Sequence, residues 1–236
     1  MRLTPEIVTL DRVSGHLEDI VDKLVFLGGS VVPLLQTDPA SPPVRPTKDI
    51  DFAVQCFSRA EYYEIETELA HRGFHLRSDE PVVCRFFGHG FVIDVMPVDT
   101  AILGFGNRWF KYAHETSWIY SLPSGREIFV IDPVLFLATK FEAFNDRGNR
   151  DVYESHDLED IVAVINSREE IVGELSSSFK VVRDFVIESM REFRNDRRFR
   201  DALVGHLGSL DDAPGRVETV LERWHSMVES DDIEFE

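Results

Sequence analysis

Three aspartates occupy positions where strand-like segments would present carboxylates. Asp49 and Asp51 begin the strand pattern 49–54, so their side chains share one face, about 6.6 Å apart along the chain. Asp94 interrupts the apolar run 91–96, where a carboxylate on a buried strand needs a partner. Carboxylate oxygens are preferred ligands of Mg²⁺, and two ions about 3.5–4 Å apart support in-line nucleotidyl displacement. The pattern therefore predicts that Asp49, Asp51 and Asp94 bind Mg²⁺, with two ions during turnover.

A glycine turn precedes these acids. Gly28 and Gly29 follow the short apolar strand 25–27, and Ser30 begins a helical pattern. Glycine lets backbone amides approach a phosphate, the Ser30 hydroxyl can donate to it, and a helix N-terminus adds partial positive charge. By itself a Gly-Gly pair is an ordinary tight turn. Beside three acids, it predicts a phosphate-binding turn next to a metal site.

A lysine also stands where folding alone does not require one. Lys140 lies within the apolar stripe of the predicted helix 133–146, and Arg147 points the same way two turns later. A snorkelling side chain at the rim is the alternative for Lys140. Two cations on one face suit a triphosphate, so we predict that Lys140 and Arg147 bind nucleotide phosphates.

The next helix carries several acids behind its predicted N-cap, Ser155. Asp157 lies at the edge of the apolar face of that helix, whereas Asp160 is predicted to point away from it. Asp157 is therefore the better candidate for a functional acid, although acids are favoured in a first helical turn anyway. Asp151 and Asp160 are the alternatives.

The motifs of the first half resemble those of the nucleotidyltransferase superfamily that includes DNA polymerase beta. The resemblance rests on Leu27-Gly28-Gly29-Ser30, Asp49-Ile50-Asp51 and the later Asp94. It implies transfer of a nucleoside monophosphate from a nucleoside triphosphate, ATP among the candidates, to an acceptor hydroxyl. It also implies that Asp94 is a metal ligand and a candidate base. The 18 residues between Ser30 and Asp49 exceed the usual spacer, and we expect the proline-rich stretch 37–47 to loop out.

The second half resembles the AbiEii toxin nucleotidyltransferases. The resemblance rests on Lys140-Phe141-Glu142-Ala143-Phe144, Arg147-Gly148, Asp151 and the run from Ser155 to Ile161. By that resemblance Lys140 contacts nucleotide phosphate and Asp157 takes the later acidic position. A toxin role implies an antitoxin as partner, and transfer RNA is among the acceptors of this family.

The element pattern predicts an α/β nucleotidyltransferase domain with a mixed sheet, residues 1–131, followed by a helical bundle, residues 132–236, that closes the nucleotide cleft. Asp132 and Pro133 mark the boundary as an N-cap followed by a first-turn proline. The net charge of −18 argues against a nucleic-acid coat protein and against binding to DNA or a membrane. The two distant cysteines argue against disulfide or zinc sites, and the lack of an apolar leader predicts a cytoplasmic protein.

The sequence leaves the acceptor open among an RNA end, a protein side chain and a small hydroxylated molecule. The negative charge favours a cationic or non-RNA acceptor, whereas the arginines between 191 and 200 are a candidate RNA contact or a solvated helix end. A catalytically idle nucleotide-binding or antitoxin-type module is the alternative from another functional class.

Overall fold

A computed structural model describes residues 3–147, 150–194, 196–207 and 213–229. The chain forms two compact units, one of Met1–Leu34 with Arg45–Asp132 and one of Leu35–Val44 with Pro133–Glu236. The first unit contains a seven-stranded mixed sheet and the second is helical. This architecture confirms the predicted α/β class. No helix in the described ranges is long and apolar enough to span a membrane.

The sheet of the first unit has the strand order β3-β4-β5-β2-β1-β7-β6. Its central pairs β2–β5 and β1–β7 are parallel, while the remaining pairs are antiparallel. The strands are β1 Leu24–Leu27, β2 Ile50–Val54, β3 His75–Leu76, β4 Arg85–Gly88, β5 Phe91–Pro97, β6 Trp118–Ser121 and β7 Glu127–Val130. Sequence analysis did not predict β3, β6 or β7.

The helices of this unit are α1 Pro5–Leu17, α2 Val32–Leu35, which ends at the unit boundary, α3 Arg59–His71 and α4 Ala113–Thr116. Ser58 is the N-cap of helix α3, and its hydroxyl accepts a hydrogen bond from the Glu61 amide. The core lies against the central strands, where the rings of Phe26 and Phe52 meet edge to face at 4.6 Å.

The second unit contains α5 Pro133–Arg147, α6 His156–Ser167, α7 Ile171–Ser177, α8 Lys180–Arg191, α9 Arg197–His206 and α10 Ala213–Glu229. Phe141, Phe193, Phe199 and Trp224 form an aromatic cluster in its core. The Trp224 indole donates to the Met190 carbonyl at 3.1 Å, which satisfies its buried N–H group.

The proline-rich stretch does not loop out into solvent, so that prediction is wrong. The amides of Thr37 and Asp38 both donate to the Ser167 carbonyl, at 3.0 and 2.8 Å. Arg168 reaches the Leu35 carbonyl at 2.9 Å, and Ser41 is buried. These contacts make residues 35–44 part of the helical unit.

Candidate active site

Strand register brings the glycine turn and two of the predicted acids to one edge of the sheet. Leu27 at the end of β1 pairs with Asp51 on β2, and Asp51 pairs with Asp94 on β5. Residues in register on neighbouring strands lie about 4.8 Å apart and share a face. Gly28 therefore follows β1 next to Asp51, and Asp94 lies on the other side of Asp51.

Gly28 is in direct contact with the Asp51 carboxylate. Its φ of +71° lies in the left-handed region, and a Cβ built at this position would be only 1.9 Å from Oδ2 of Asp51. Only glycine meets both requirements without moving the carboxylate. The glycine turn and the Asp51 carboxylate thus meet in a close steric fit, and the predicted phosphate-binding role of the turn stays a prediction.

The turn after Gly28 is shorter than the sequence predicts. Residues Gly29–Val31 form a 3₁₀ turn, and α2 has only four residues. A helix of one turn has only a small aligned dipole. An anion at this turn would therefore be bound by the backbone amides of the turn rather than by a helix N-terminus. Ser30 is 3% exposed and its hydroxyl points to the Leu27 carbonyl at 3.4 Å.

An arginine occupies the space beside the acids. The Arg85 Nε donates to Oδ1 of Asp94 at 2.8 Å, and Nη2 donates to Oδ2 of the same residue at 2.8 Å. Nη2 also reaches Oδ2 of Asp49 at 2.7 Å, so one nitrogen joins the two carboxylates. The hydrogen bonds to Asp94 raise the pKa of Arg85 above its ordinary value, even though burial opposes that shift.

Arg85 is not among the predicted site residues, although the sequence contains a signal for it. Gly88 and Phe91 close the hairpin of β4 and β5, and counting back from that pair places Arg85 opposite Asp94. Both residues interrupt apolar runs, and opposite charges directly across an antiparallel pair stabilise a sheet. A register count across the hairpin would therefore have predicted the ion pair.

Magnesium is implied by the sequence motifs, and the side chains at this edge have suitable chemistry for it. Asp49, Asp51 and Asp94 supply hard oxygen donors of the kind that Mg²⁺ prefers. Within the described ranges, however, no group of three or more His, Cys, Asp or Glu side chains has a metal-binding arrangement. At this edge Arg85 makes hydrogen bonds to both oxygens of Asp94 and to one oxygen of Asp49.

The predicted cation of the second unit is buried beside two acids. Lys140 on α5 is 8% exposed, and its Nζ lies 3.1 Å from Oδ1 of Asp157 and 2.6 Å from Oδ2 of Asp160. The snorkelling alternative is thus wrong. Lys140 and Asp157 are neighbours, and their predicted functional roles stay predictions.

The prediction that Asp160 points away from the apolar face is also wrong. Asp160 is 3% exposed, because α6 is packed against α5, α9 and α10 and has few solvent-facing positions. A helical wheel assumes one buried face and one solvated face, which fails for a helix surrounded by others. Asp160 therefore contacts Lys140 more closely than Asp157 does.

The remaining predicted residues have simpler roles in the structure. Asp151 accepts hydrogen bonds from the amides of Tyr153 and Glu154, at 2.8 and 3.3 Å, as a turn residue does. Arg147 ends α5, and its side chain lies outside the described residues. Its predicted phosphate contact stays a prediction.

No protein-family model matches the chain, and no curated protein matches it. Two solved structures of the antibiotic-resistance factor ANT(2'')-Ia are similar to it. The solution structure is 11% identical with a TM-score of 0.47, covering 79% of this chain and 91% of that chain. The crystal structure in complex with adenylyl-2''-tobramycin is 12% identical with a TM-score of 0.47, covering 80% and 99%. At this level of similarity, the functional argument rests on the site itself.

Proposed function

We propose that this protein is a nucleotidyltransferase that moves a nucleoside monophosphate from a nucleoside triphosphate to an acceptor hydroxyl and releases pyrophosphate. The observation that carries the proposal is the contact of the Gly28 turn with the Asp51 carboxylate, with Asp94 in register beside it. The backbone N–H groups of the turn, which can donate hydrogen bonds, thus lie next to carboxylate oxygens, which can bind a metal ion. A bound triphosphate needs both kinds of group, the first for its phosphate oxygens and the second for its counter-ion.

Each residue at this edge has a distinct part in the proposed reaction. The backbone of Gly28 and Gly29 holds the outer phosphates, and Ser30 becomes a further donor if its weak contact with the Leu27 carbonyl is exchanged. Asp49, Asp51 and Asp94 would hold Mg²⁺, which when bound neutralises charge on the α-phosphate. Asp94 also accepts the proton of the acceptor hydroxyl.

Lys140 and Asp157 are proposed as a second functional pair, in which Lys140 contacts nucleotide phosphate. Its support is the burial of a cation beside two acids on adjacent helices. The same arrangement also serves the stability of the helical unit, so the two roles need separate measurements.

For the acceptor, the net charge of −18 favours a cationic hydroxylated small molecule or protein over an RNA end. A toxin role with an antitoxin partner belongs to the same proposal, since its support is the sequence resemblance in the second half.

The test is a transfer assay with Mg²⁺ and each of the four labelled nucleoside triphosphates. The acceptors are tested separately: cellular RNA, cellular protein and an aminoglycoside that carries several amino groups. We expect label to appear in one pool with release of pyrophosphate, and Asp51→Asn to abolish it. Asp79→Asn is the matched control, because that acid is exposed and pairs with Arg77 in the same unit. Absence of transfer from any triphosphate to any pool would overturn the proposal.

One observation favours the second candidate, a catalytically idle nucleotide-binding module. Arg85 neutralises Asp49 and Asp94, so these acids have a structural reason to be present without catalysis. Binding of Mg²⁺-triphosphate without any turnover would support the idle module over the enzyme.

A further inference from the structure

Arg85 contacts the same carboxylates that the proposed function assigns to a divalent cation. Its guanidinium makes three hydrogen bonds of 2.7–2.8 Å, two to Asp94 and one to Asp49. The two bonds to Asp94 form the bidentate geometry in which arginine and carboxylate match best. The positively charged guanidinium thus lies among acids that would otherwise repel one another.

The position of Arg85 is set by the sheet rather than by its own flexible chain. Arg85 lies on β4 directly opposite Asp94 on β5, and Asp51 follows in register on β2. Both oxygens of Asp94 accept a hydrogen bond from the guanidinium. A metal ion at Asp94 must therefore share an oxygen with Arg85 or displace it, and in either case it meets the positive charge of the guanidinium.

We propose that Arg85 is an internal competitor of the divalent cation: its positive charge opposes metal binding at Asp49 and Asp94, and its guanidinium moves when metal binds. This inference rests on the proposed function, since it concerns the regulation of the same site. Arg85 then sets how tightly metal binds, and it keeps the acids paired when metal is absent. The side chain is one-quarter exposed, so it has solvent to move into when displaced.

The first experiment measures binding of Mn²⁺ alone to the full chain by calorimetry, with no nucleotide and no turnover. Arg85→Met keeps an unbranched apolar stem and removes the charged guanidinium, and we expect Mn²⁺ to bind on the order of tenfold tighter than in the wild type. Arg85→Lys keeps the charge but loses the planar fork, and we expect an intermediate affinity. Arg77→Met is the matched control, because Arg77 pairs with the exposed Asp79, and we expect its Mn²⁺ affinity to equal that of the wild type.

The second experiment uses the wild-type protein, in case Arg85→Met does not fold. The Nε–H group of Arg85 donates to Asp94 and gives its own NMR signal, which we expect to move as Mg²⁺ is added. The proposal is overturned if Mg²⁺ binds while that signal stays unchanged. It is also overturned if Arg85→Met binds Mn²⁺ no better than the wild type, including the case in which neither binds. These outcomes concern metal binding alone, whereas the proposed function fails on the transfer assay.

Discussion

At the residue scale, Arg85 changes what each aspartate contributes to stability. Three acids on neighbouring strands would repel one another, and neutralising one would then stabilise the fold. With Arg85 present, Asp94 instead accepts two charge-assisted hydrogen bonds and is 7% exposed. The expected sign of the mutational effect is therefore reversed for Asp94.

We predict that Asp94→Asn lowers the free energy of unfolding by about 1.5–3 kcal/mol, the range for hydrogen bonds to charged groups. Asp49→Asn should cost at most about 1 kcal/mol, because the Asp49 side chain is 35% exposed and shares a single bond with Arg85. Urea unfolding at pH 7 measures both values. If both variants are as stable as the wild type or more so, repulsion among the acids outweighs the ion pair.

Lys140 gives a second prediction at this scale. Lys140→Met leaves Asp160 buried without its nearest cation, so we expect a loss of about 3–5 kcal/mol, the usual cost of removing one partner from a buried pair. The matched control is Lys180→Met, because Lys180 pairs with Asp184 at the surface, and a change within about 0.5 kcal/mol is expected. Equal stability of Lys140→Met and the wild type in urea would mean that Lys140 is present for ligand binding rather than for folding.

At the scale of elements, the turn after β1 combines two steric requirements at one glycine. We predict that Gly28→Ala is more destabilising than Gly125→Ala. Both glycines have positive φ, but a Cβ at Gly125 meets no atom within 4 Å, whereas at Gly28 it would collide with Asp51. A positive φ is unfavourable for alanine at both positions, and at Gly28 the ψ of −169° adds a conformation that is nearly restricted to glycine.

The excess loss for Gly28→Ala in thermal unfolding therefore measures the backbone conformation of Gly28 and its contact with Asp51 together. Calorimetry with Mg²⁺-ATP provides the functional readout, in which only Gly28→Ala should lose affinity. Equal effects of the two substitutions on stability and on binding would show that the Gly28–Asp51 contact has no functional weight.

The packing of α3 on the sheet predicts sensitivity to alkaline pH. Tyr62 on α3 donates its buried hydroxyl to the Val95 carbonyl at 2.8 Å, and burial raises its pKa above the ordinary value of 10.0. Burial likewise raises the pKa of Cys56 from 9.0 to about 11. Both groups keep their protons in the folded state at pH values where the unfolded chain releases them. Their contribution to the free energy of unfolding is therefore fully present below pH 9 and decreases as the pH rises.

Urea unfolding at pH 8, 9.5 and 10.5 should show a continuous loss of stability. Tyr62→Phe should be less stable than the wild type at pH 8, because the Val95 carbonyl loses its donor, and should lose less on further alkalinisation. A wild-type curve that is flat up to pH 10.5 would contradict the prediction.

At the scale of the whole molecule, the chain leaves the sheet unit after Leu34, contributes residues 35–44 to the helical unit, and returns at Arg45. Asp38 is central to this segment, since its amide donates to the Ser167 carbonyl and its carboxylate pairs with Arg216 at 3.4 Å. The stability of the helical unit therefore depends in part on residues 35–44, which are distant from its helices in the sequence.

We predict that replacing residues 38–44 with a Gly-Ser linker of equal length lowers the melting temperature. The equal length keeps the entropy of loop closure nearly constant, so the change reports lost contacts rather than a longer or shorter loop. An equal-length Gly-Ser replacement of residues 103–106, which include two positive-φ glycines, is the control. A melting temperature equal to that of the wild type would show that the contacts of 38–44 contribute nothing to stability.

The sequence by itself determined the features that depend on neighbouring residues. The strand that carries Asp51, the apolar run around Asp94 and the helix that contains Lys140 follow from periodicity within a few residues, and all are present in the structure. The first of these strands begins at Ile50, one residue after Asp49. The glycine turn beside the acids was also readable, because only glycine permits such an approach.

The tertiary structure alone decided which charges meet. Arg85 contacts Asp49 across 36 positions of sequence, Asp160 is buried beside Lys140 because other helices surround α6, and residues 35–44 reach Ser167 through the folded chain. Local patterns set the face on which a side chain lies, but strand register and helix packing determine its partner. Electrostatic energy depends on that partner and on burial. The acids and the Arg85–Asp94 register pair can therefore be read from the sequence, whereas the Arg85–Asp49 and Lys140–Asp160 contacts cannot.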